Sequence, residues 1–414
     1  MITQDAIRHN AAPAGSTLFV RVGLLVMLLA VPILSLTACS KDEGAEGKSS
    51  AKSADQSSDC SLTTDTSAWT AFKEIADRIA SGADVTKEQL DAFGDQPSVA
   101  LWRNSLQPGV PSALRVGNWL EGTFWEELGR SGKQKMSSNR RTFIRSYRFS
   151  VDNRVRIDER LAELTGPRKC DTAELAHYWI EPGLVPQPLA IHFLPAKAEI
   201  RIFEGSLLVD TGVVGASSVD QVIRNMAALL YRKYQTVPGP NPMEEEGEQA
   251  VANAFRVLMN EGITGWIEQA INLEFDSGHP ALHKVKIIPE DFFNKTRETI
   301  DFMNRQLGSM LDDQATMAHE GQPFAGYLAG MNAYGMTGYG MSAVIAARLG
   351  EDRLREVRRS VPAFLAAYQE AAAANPVPAP VPGAPGTELY LTVPPLDPDI
   401  FTKLHAMLTR VLLD

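Results

Sequence analysis

The stretch from residue 189 to residue 234, LAIHFLPAKAEIRIFEGSLLVDTGVVGASSVDQVIRNMAALLYRKY, decides the fold class. Its first half contains LAIHFLP (189–195) and EIRIFEGSLLVDTGVV (199–214), which are rich in β-branched residues and alternate in part. This pattern predicts two or three strands, with a turn at Gly205. The second half predicts a helix that Ser217 and Asp220 can cap. Its apolar face repeats at helical spacing and comprises Val219, Val222, Ile223, Met226, Leu229 and Leu230.

Helical patterns flank this stretch on both sides. Upstream, residues 61–165 read mostly helical, and Thr86-Lys-Glu-Gln89 has the form of a capping box. Downstream, we expect helices over 246–270, 290–312, 337–349 and 351–374, and a last helix that opens at Asp397-Pro398. The predicted fold class is therefore α+β and mostly helical, with a small β-sheet.

Two low-complexity segments interrupt the downstream helices. The glycine-rich stretch GYLAGMNAYGMTGYGM (326–341) suits either a flexible loop or close helix packing; it lacks the spacing of a phosphate-binding loop, and packing is favoured. Residues 375–386, NPVPAPVPGAPG, hold five prolines and predict an extended linker before the C-terminal helix. That helix could either dock on a partner or pack back on the body.

Composition and charge exclude several classes of protein. The chain has 414 residues, of which 44% are hydrophobic and 22% are charged. These values exclude a collagen-like, disulfide-dense or wholly disordered chain. The formal net charge of −10 argues against nucleic acid as a partner, because phosphate neutralisation requires basic patches.

The N-terminus carries an apolar segment that ends in a cysteine. Residues 22–38, VGLLVMLLAVPILSLTA, contain no charge and follow Arg21, as in the central region of a secretory signal. Leu36-Thr37-Ala38-Cys39 resembles the lipobox of bacterial lipoproteins, which implies lipidation of Cys39 and anchoring in the membrane. Ser40 after the cysteine implies sorting to the outer membrane, facing the periplasm. The alternative is an uncleaved signal anchor.

Two cysteines remain for the exported part of the chain. After lipidation of Cys39, Cys60 and Cys170 are available in an oxidising compartment, where disulfides persist. We expect a structural Cys60–Cys170 bridge. Two free thiols or a redox pair are the alternatives, although no C-x-x-C motif supports redox chemistry.

The order of segments from about residue 65 to 375 resembles a family of zinc-dependent peptidases of the gluzincin type, often found as bacterial lipoproteins. VIRNMAALLYRKY (222–234) lies where that family has its H-E-x-x-H helix, just after the strands. NEGITGWIE (260–268) matches the segment whose glutamate is the expected third metal ligand. GYGMSAVIAARLGEDRL (338–354) and VPAFLAAYQEAA (361–372) match its C-terminal helices. The resemblance implies a zincin-like fold.

The chain departs from this family at the residues that carry the chemistry. A gluzincin needs two histidines at i and i+4 on one helix face and a glutamate beside the first as general base. Here those three positions hold Asn225, Met226 and Leu229, and only Glu261 of the implied ligand set is retained. Methionine cannot take a proton from water, and leucine has no lone pair. No zinc or other cofactor is therefore expected.

Other histidines could supply a different ligand set. His279-Pro-Ala-Leu-His283 offers two imidazoles four residues apart, but no glutamate lies between them. Glu261 with His279 or His283 is the alternative in which zinc is bound and the chain is an active metal-dependent hydrolase.

We interpret the chain as a lipid-anchored zinc-peptidase homologue that has lost catalysis and binds a peptide, a protein or an envelope component. A structural or assembly lipoprotein is a further alternative. The predicted organisation is a signal peptide, a tether, a helical N-terminal region, a peptidase-homologous domain, and a linker with the C-terminal helix. Their bounds are 1–38, 39–59, 60–187, 188–374 and 375–414.

Overall fold

The computed structural model describes most of the chain from Cys60 onward. The described residues are 60–106, 138–196, 199–268, 289–330, 333–373, 379–380, 388–389 and 393–412. The predicted signal peptide and tether, and with them Cys39, lie outside these residues, as do His279 and His283. Residues 57–414 form one compact unit.

A four-stranded sheet organises the first half of the described chain. Its strands are β1 (Leu62–Asp65), β2 (Leu189–Leu194), β3 (Ile200–Phe203) and β4 (Ser206–Asp210), in the spatial order β1-β2-β4-β3. The two pairs β1–β2 and β2–β4 are parallel, whereas β3 and β4 form an antiparallel hairpin. The predicted strands are confirmed, and β1 is an addition that the sequence pattern did not reveal. Because β1 pairs with β2, the sheet contains residues from both sides of the predicted domain boundary at residue 187. That boundary stays a prediction.

Local sequence predicts the turn of the hairpin correctly but not the structure of the segment that follows it. The predicted turn at Gly205 is confirmed: Glu204 and Gly205 have φ of 48° and 76°, the left-handed backbone that tight hairpins favour. The extension of the last strand through residue 214 is wrong. A short helix, Thr211–Ala216, begins there instead, because the Asp210 carboxylate accepts a hydrogen bond of 3.0 Å from the Gly212 N–H.

Six helices of the described chain precede the hairpin. They are α1 (Ser67–Ala80), α2 (Lys87–Gly94), α3 (Pro97–Leu106), α4 (Ser138–Asp152), α5 (Arg154–Thr165) and α6 (Asp171–Trp179). The capping box of Thr86 and Gln89 at the start of α2 is confirmed. Helices α1 and α3 pack against β2, and Trp69, Phe72 and Trp102 are buried in the core there.

Nine further helices follow the sheet within the described ranges. They are α7 (Thr211–Ala216), α8 (Val219–Tyr234), α9 (Glu246–Glu268), α10 (Pro289–Asp312), α11 (Gln314–Gly330), α12 (Ala333–Leu349), α13 (Glu351–Val357), α14 (Val361–Ala373) and α15 (Pro398–Val411). Helix α9 is central, since α8, α11 and α12 all pack against it. Ser218, rather than the predicted Ser217, caps α8: its hydroxyl accepts from the Gln221 N–H at 3.2 Å, while Ser217 is buried. The fold class, α+β and mostly helical, is confirmed.

The glycine-rich segment forms the end of α11 and the start of α12. This confirms the prediction of close helix packing and not the alternative of a flexible loop. Gly338 on α12 lies directly against Gly262 on α9, so close that a Cβ atom at residue 338 would be 2.8 Å from the Gly262 Cα. Two helix backbones approach this closely only where neither carries a side chain. The glycines therefore fix how α12 crosses α9.

The C-terminal helix packs on the body. Leu404 and Leu408 of α15 are fully buried, and Arg410 forms salt bridges with Glu244 and Glu248 near the start of α9. Before α15, the two-residue strands β5 (379–380) and β6 (388–389) pair antiparallel. Across the described helices, none is both long and apolar enough to cross a membrane.

A disulfide joins the edge of the sheet to the helices. Cys60, two residues before the start of β1, is bonded to Cys170 at the start of α6, with a Cα–Cα distance of 5.7 Å. The predicted structural bridge is confirmed. It holds the short edge strand β1 to a helix that follows it by more than a hundred residues.

The β1–β2 pair also contains a contact, between Asp65 and His192, whose contribution to stability we expect to depend on pH. The Asp65 carboxylate lies 3.1 Å from His192 Nδ1 and accepts a 2.9 Å hydrogen bond from the Ser67 N–H. Partial burial opposes ionisation of Asp65, but the hydrogen bonds with Ser67 and His192 outweigh it and hold the pKa of Asp65 below its ordinary value. The folded state therefore favours the ionised carboxylate.

We expect Asp65→Asn to destabilise the protein at neutral pH and less so in acid. Because the folded pKa is depressed, the stabilisation is present above the unfolded pKa of about 4 and is lost as pH falls through the folded value. Urea unfolding between pH 3 and pH 7 should show the difference between variant and parent shrinking below about pH 4. The exposed Asp301→Asn on α10 is the control. A difference that stays constant with pH contradicts the prediction.

Candidate functional site

Helices α8 and α9 form an antiparallel pair that holds the residues matching the peptidase motif. Near the start of α8, the Gln221 side chain donates a 2.9 Å hydrogen bond to the Glu268 carbonyl at the end of α9. Near its end, Arg232 forms a salt bridge with Glu261. These two contacts set the register of the pair, so the predicted third ligand lies on the helix that packs against the predicted motif helix.

The three motif positions on α8 have different surroundings. Asn225 is half-buried and accepts a 2.7 Å hydrogen bond from the Gln221 side chain. Met226, which the resemblance predicts at the position of the general base, is fully buried, with 0% of its surface exposed. Leu229 is partly buried and packs against the core. Two of the three side chains are thus part of the apolar packing, and the third already has a polar partner.

Glu261 has a cation as its partner within the protein. Its carboxylate hydrogen-bonds to the Arg232 guanidinium, and its side chain is 32% exposed. Arg232 lies three residues after Leu229, on the turn of α8 that follows the motif positions. Sequence reasoning did not identify this residue, although an arginine one turn beyond the motif is a signal that could have pointed to it. An exposed pair of this kind contributes about 1 kcal/mol or less to stability.

These side chains do not fit a zinc ion. Zinc in proteins takes imidazole, thiolate or carboxylate ligands, and a catalytic site keeps three of them. Met226 is sealed in the core, Leu229 has no donor atom, and Glu261 is neutralised by Arg232. Among the described residues, no group of three or more His, Cys, Asp or Glu side chains is placed to hold a metal.

The other described histidines are dispersed. His177 lies 3.3 Å from the Gln187 side chain, and His192 pairs with Asp65. His319 is largely exposed on α11, and His405 packs beside the Phe401 ring on α15. None of these four lies with Glu261 in a candidate metal cluster of the described chain.

Comparison with known proteins supports the resemblance over part of the chain. Residues 229–377 match the family described as "Putative zinc dependent peptidase (DUF5700)". The match spans just over a third of the chain, includes Leu229 and Glu261, and begins after Asn225 and Met226. No curated protein matches the chain significantly, and no solved structure does. Over these residues, from the last turns of α8 to the end of α14, the chain is similar to that family.

Proposed function

We propose that this protein is a lipid-anchored envelope protein whose zinc-peptidase homology survives as a scaffold without catalysis, and that it binds a peptide, a protein or another envelope component. The observation that carries the proposal is the salt bridge between Glu261 and Arg232. The one retained ligand of the family's set is bound by a fixed positive charge of the protein itself.

The chemistry of the motif positions supports the loss of catalysis. A zinc peptidase needs a metal to polarise the substrate carbonyl and a general base to activate water. Met226 is fully buried and cannot act as a base, and Leu229 cannot replace an imidazole. The Arg232 guanidinium stays charged at any ordinary pH, so the carboxylate of Glu261 has a cationic partner of the protein itself beside it.

Binding is the activity that such a scaffold can keep. Helix α9 packs against α8, α11 and α12, and Met226 is part of the apolar core, so this packing needs no metal. The lipobox-like Leu36-Thr37-Ala38-Cys39 supports anchoring at the outer membrane, and the polar residues 40–58 support a tether that holds the body away from the bilayer. A tethered body is positioned to bind other components of the envelope.

The first test is the metal content of the purified chain. Residues 40–414, which lack both the apolar segment 22–38 and Cys39, provide the sample. Metal analysis of that sample should find zinc far below one ion per chain, and Glu261→Gln should leave the value unchanged. Glu268→Gln on the same helix is the matched control. Stoichiometric zinc that is lost in Glu261→Gln, His279→Gln or His283→Gln would instead establish the active-hydrolase alternative.

A positive control uses the same helix pair. Asn225→His with Leu229→His places two imidazoles at i and i+4, and Arg232→Ala releases Glu261 from its salt bridge. We expect this triple variant to bind about one zinc ion per chain, the stoichiometry of a three-ligand site. A folded triple variant without zinc affinity would show that Glu261 does not lie at the third-ligand position.

A further inference from the structure

A strongly basic segment covers helix α4 and the start of α5. Residues 138–156 hold six arginines and one carboxylate, Asp152, so the segment has a formal charge of +5. The whole chain has a formal net charge of −10, which means that this segment is opposite in sign to the rest of the protein. A local excess of positive charge attracts anionic partners.

Two arginines of α4 lie on its solvent-facing side. Arg145 and Arg148 are exposed, whereas their neighbours Ile144, Tyr147 and Phe149 are buried. Residues three apart on a helix share one face, so the two guanidinium groups are presented on the same side. Within the described ranges, no carboxylate forms an ion pair with Arg145. This face of α4 therefore offers positive charge to a partner in solution.

Carboxylates on the neighbouring helices are already paired with other cations. Asp77 on α1 forms a salt bridge with Arg154, and Asp158 on α5 forms one with Lys73 at 2.8 Å. The exposed Glu159 lies one turn beyond the start of α5, outside the basic segment. The positive charge of α4 is therefore not cancelled by Asp77 or Asp158.

An exposed apolar side chain lies at the corner between α4 and α5. Val155, in the first turn of α5, is 67% exposed and has an arginine on each side in sequence. One of them, Arg156, donates a 2.7 Å hydrogen bond to the Asn153 side-chain oxygen, and its guanidinium lies 6.0 Å from the centre of the Phe149 ring. An apolar side chain among arginines suits the headgroup region of a bilayer, where both kinds of group find a partner.

The position of the N-terminal end of the fold brings this corner within reach of a bilayer. Strand β1 and helix α1 directly follow Cys60, and α1 is joined to the start of α5 by the salt bridge between Asp77 and Arg154. A flexible tether over the predicted residues 39–59 has an end-to-end distance of about 25 Å. Such a tether allows the body either to stand away from the membrane or to rest on it, and the positive charge favours contact.

We propose that Arg145, Arg148, Val155 and Arg156, which we call the basic surface, dock the folded body on a bilayer that contains anionic phospholipids. This inference rests on the proposed lipid anchoring and names the envelope component that the body contacts. Guanidinium groups bind headgroup phosphates, and a bilayer presents many phosphates to arginines that lie apart from one another. Val155 favours a bilayer over a soluble polyanion such as nucleic acid, because only the bilayer has an apolar interior to receive it.

The test is sedimentation of residues 40–414 with vesicles of phosphatidylcholine, alone or with phosphatidylglycerol. We expect binding only when phosphatidylglycerol is present, and weaker binding as NaCl is raised, because salt screens the attraction. Each arginine near an anionic surface contributes about fivefold, so Arg145→Gln with Arg148→Gln should weaken binding about 25-fold. Arg297→Gln with Arg305→Gln on α10 is the matched control: it removes the same charge from exposed positions elsewhere and should bind as the parent does.

Val155→Ser tests the apolar part of the basic surface. Serine removes apolar area but no charge, so we expect severalfold weaker binding with the same dependence on salt. Met243→Ser is the control, because Met243 is 88% exposed but lies outside the basic surface. Thermal unfolding of each variant checks that its fold is intact.

Three results would overturn the proposal. They are equal binding to vesicles with and without phosphatidylglycerol, equal losses in the α4 and α10 double variants, and tighter binding of the parent to duplex DNA than to anionic vesicles. All of these measurements use a chain without an acyl group. They are therefore independent of lipidation, which mass spectrometry of Cys39 in the processed full chain tests, and of the loss of catalysis, which the metal content tests.

Discussion

Gly338→Ala should lower the free energy of unfolding by about 3 kcal/mol or more, the upper end of what overpacking a core produces. A Cβ atom at residue 338 would lie 2.1 Å from the Leu258 carbonyl oxygen and 2.8 Å from the Gly262 Cα. Both obstacles are backbone atoms of α9, so no side-chain rotation relieves the clash. The two helices must move apart, and α9 contacts most of the C-terminal helices.

The matched control lies one turn earlier on the same helix. A Cβ atom at Gly335 would meet no described atom within 4 Å, so Gly335→Ala adds a methyl group without a clash. Alanine favours a helix over glycine by about 1 kcal/mol, and the variant should be as stable as the parent or more so. Urea unfolding of both variants measures the contrast. Equal effects at residues 335 and 338 would contradict the close crossing of α9 and α12.

The crossing also matters for the candidate site. Gly262 follows Glu261 directly, so a shift of α9 at this point moves the carboxylate that pairs with Arg232. In a Gly338 variant that is destabilised but still folded, we therefore expect the salt bridge between Glu261 and Arg232 to be weaker. The glycines of α9 and α12 thus help to position Glu261 although neither has a side chain.

Loss of the Cys60–Cys170 disulfide is the second large effect that we expect. The bridge closes a loop with a sequence separation of 110 residues. The chain-entropy relation gives about 4–5 kcal/mol for a loop of that size. Total stabilities of single domains are about 5–15 kcal/mol, so the doubly substituted chain should be close to its folding limit. The effect is large because the unfolded chain regains so much freedom.

The structure indicates where this loss begins. Strand β1 has only four residues, lies at the edge of the sheet, and begins two residues after Cys60. Cys60→Ser with Cys170→Ser, both in the chain of residues 40–414, should lower Tm and increase hydrogen exchange of the β1 amides first. The chain of residues 40–414 with an intact bridge is the control. Unchanged stability after the double substitution would mean that the bridge adds no constraint to the unfolded chain.

Much of the local structure was predictable because its causes are local. The alternation in LAIHFLP, the glycine at residue 205 and the Thr86–Gln89 capping box each act within a few residues, and each is confirmed. Strand β1 was not predictable, since LTTD has no strong pattern and becomes a strand only by pairing with β2. The β-branched TGVV favoured a strand locally, but the Asp210 cap starts a helix there.

The same distinction between local and tertiary causes applies to the candidate site. The sequence alone determined that residues 225, 226 and 229 hold no histidine and no general base, because ligand chemistry belongs to the side chain and not to its surroundings. Only the tertiary structure decided that Glu261 meets Arg232, that Gly338 meets Gly262, and that Arg410 meets Glu248. These partners are 29 to more than a hundred residues apart. Their meeting depends on how whole helices pack, which no local pattern specifies.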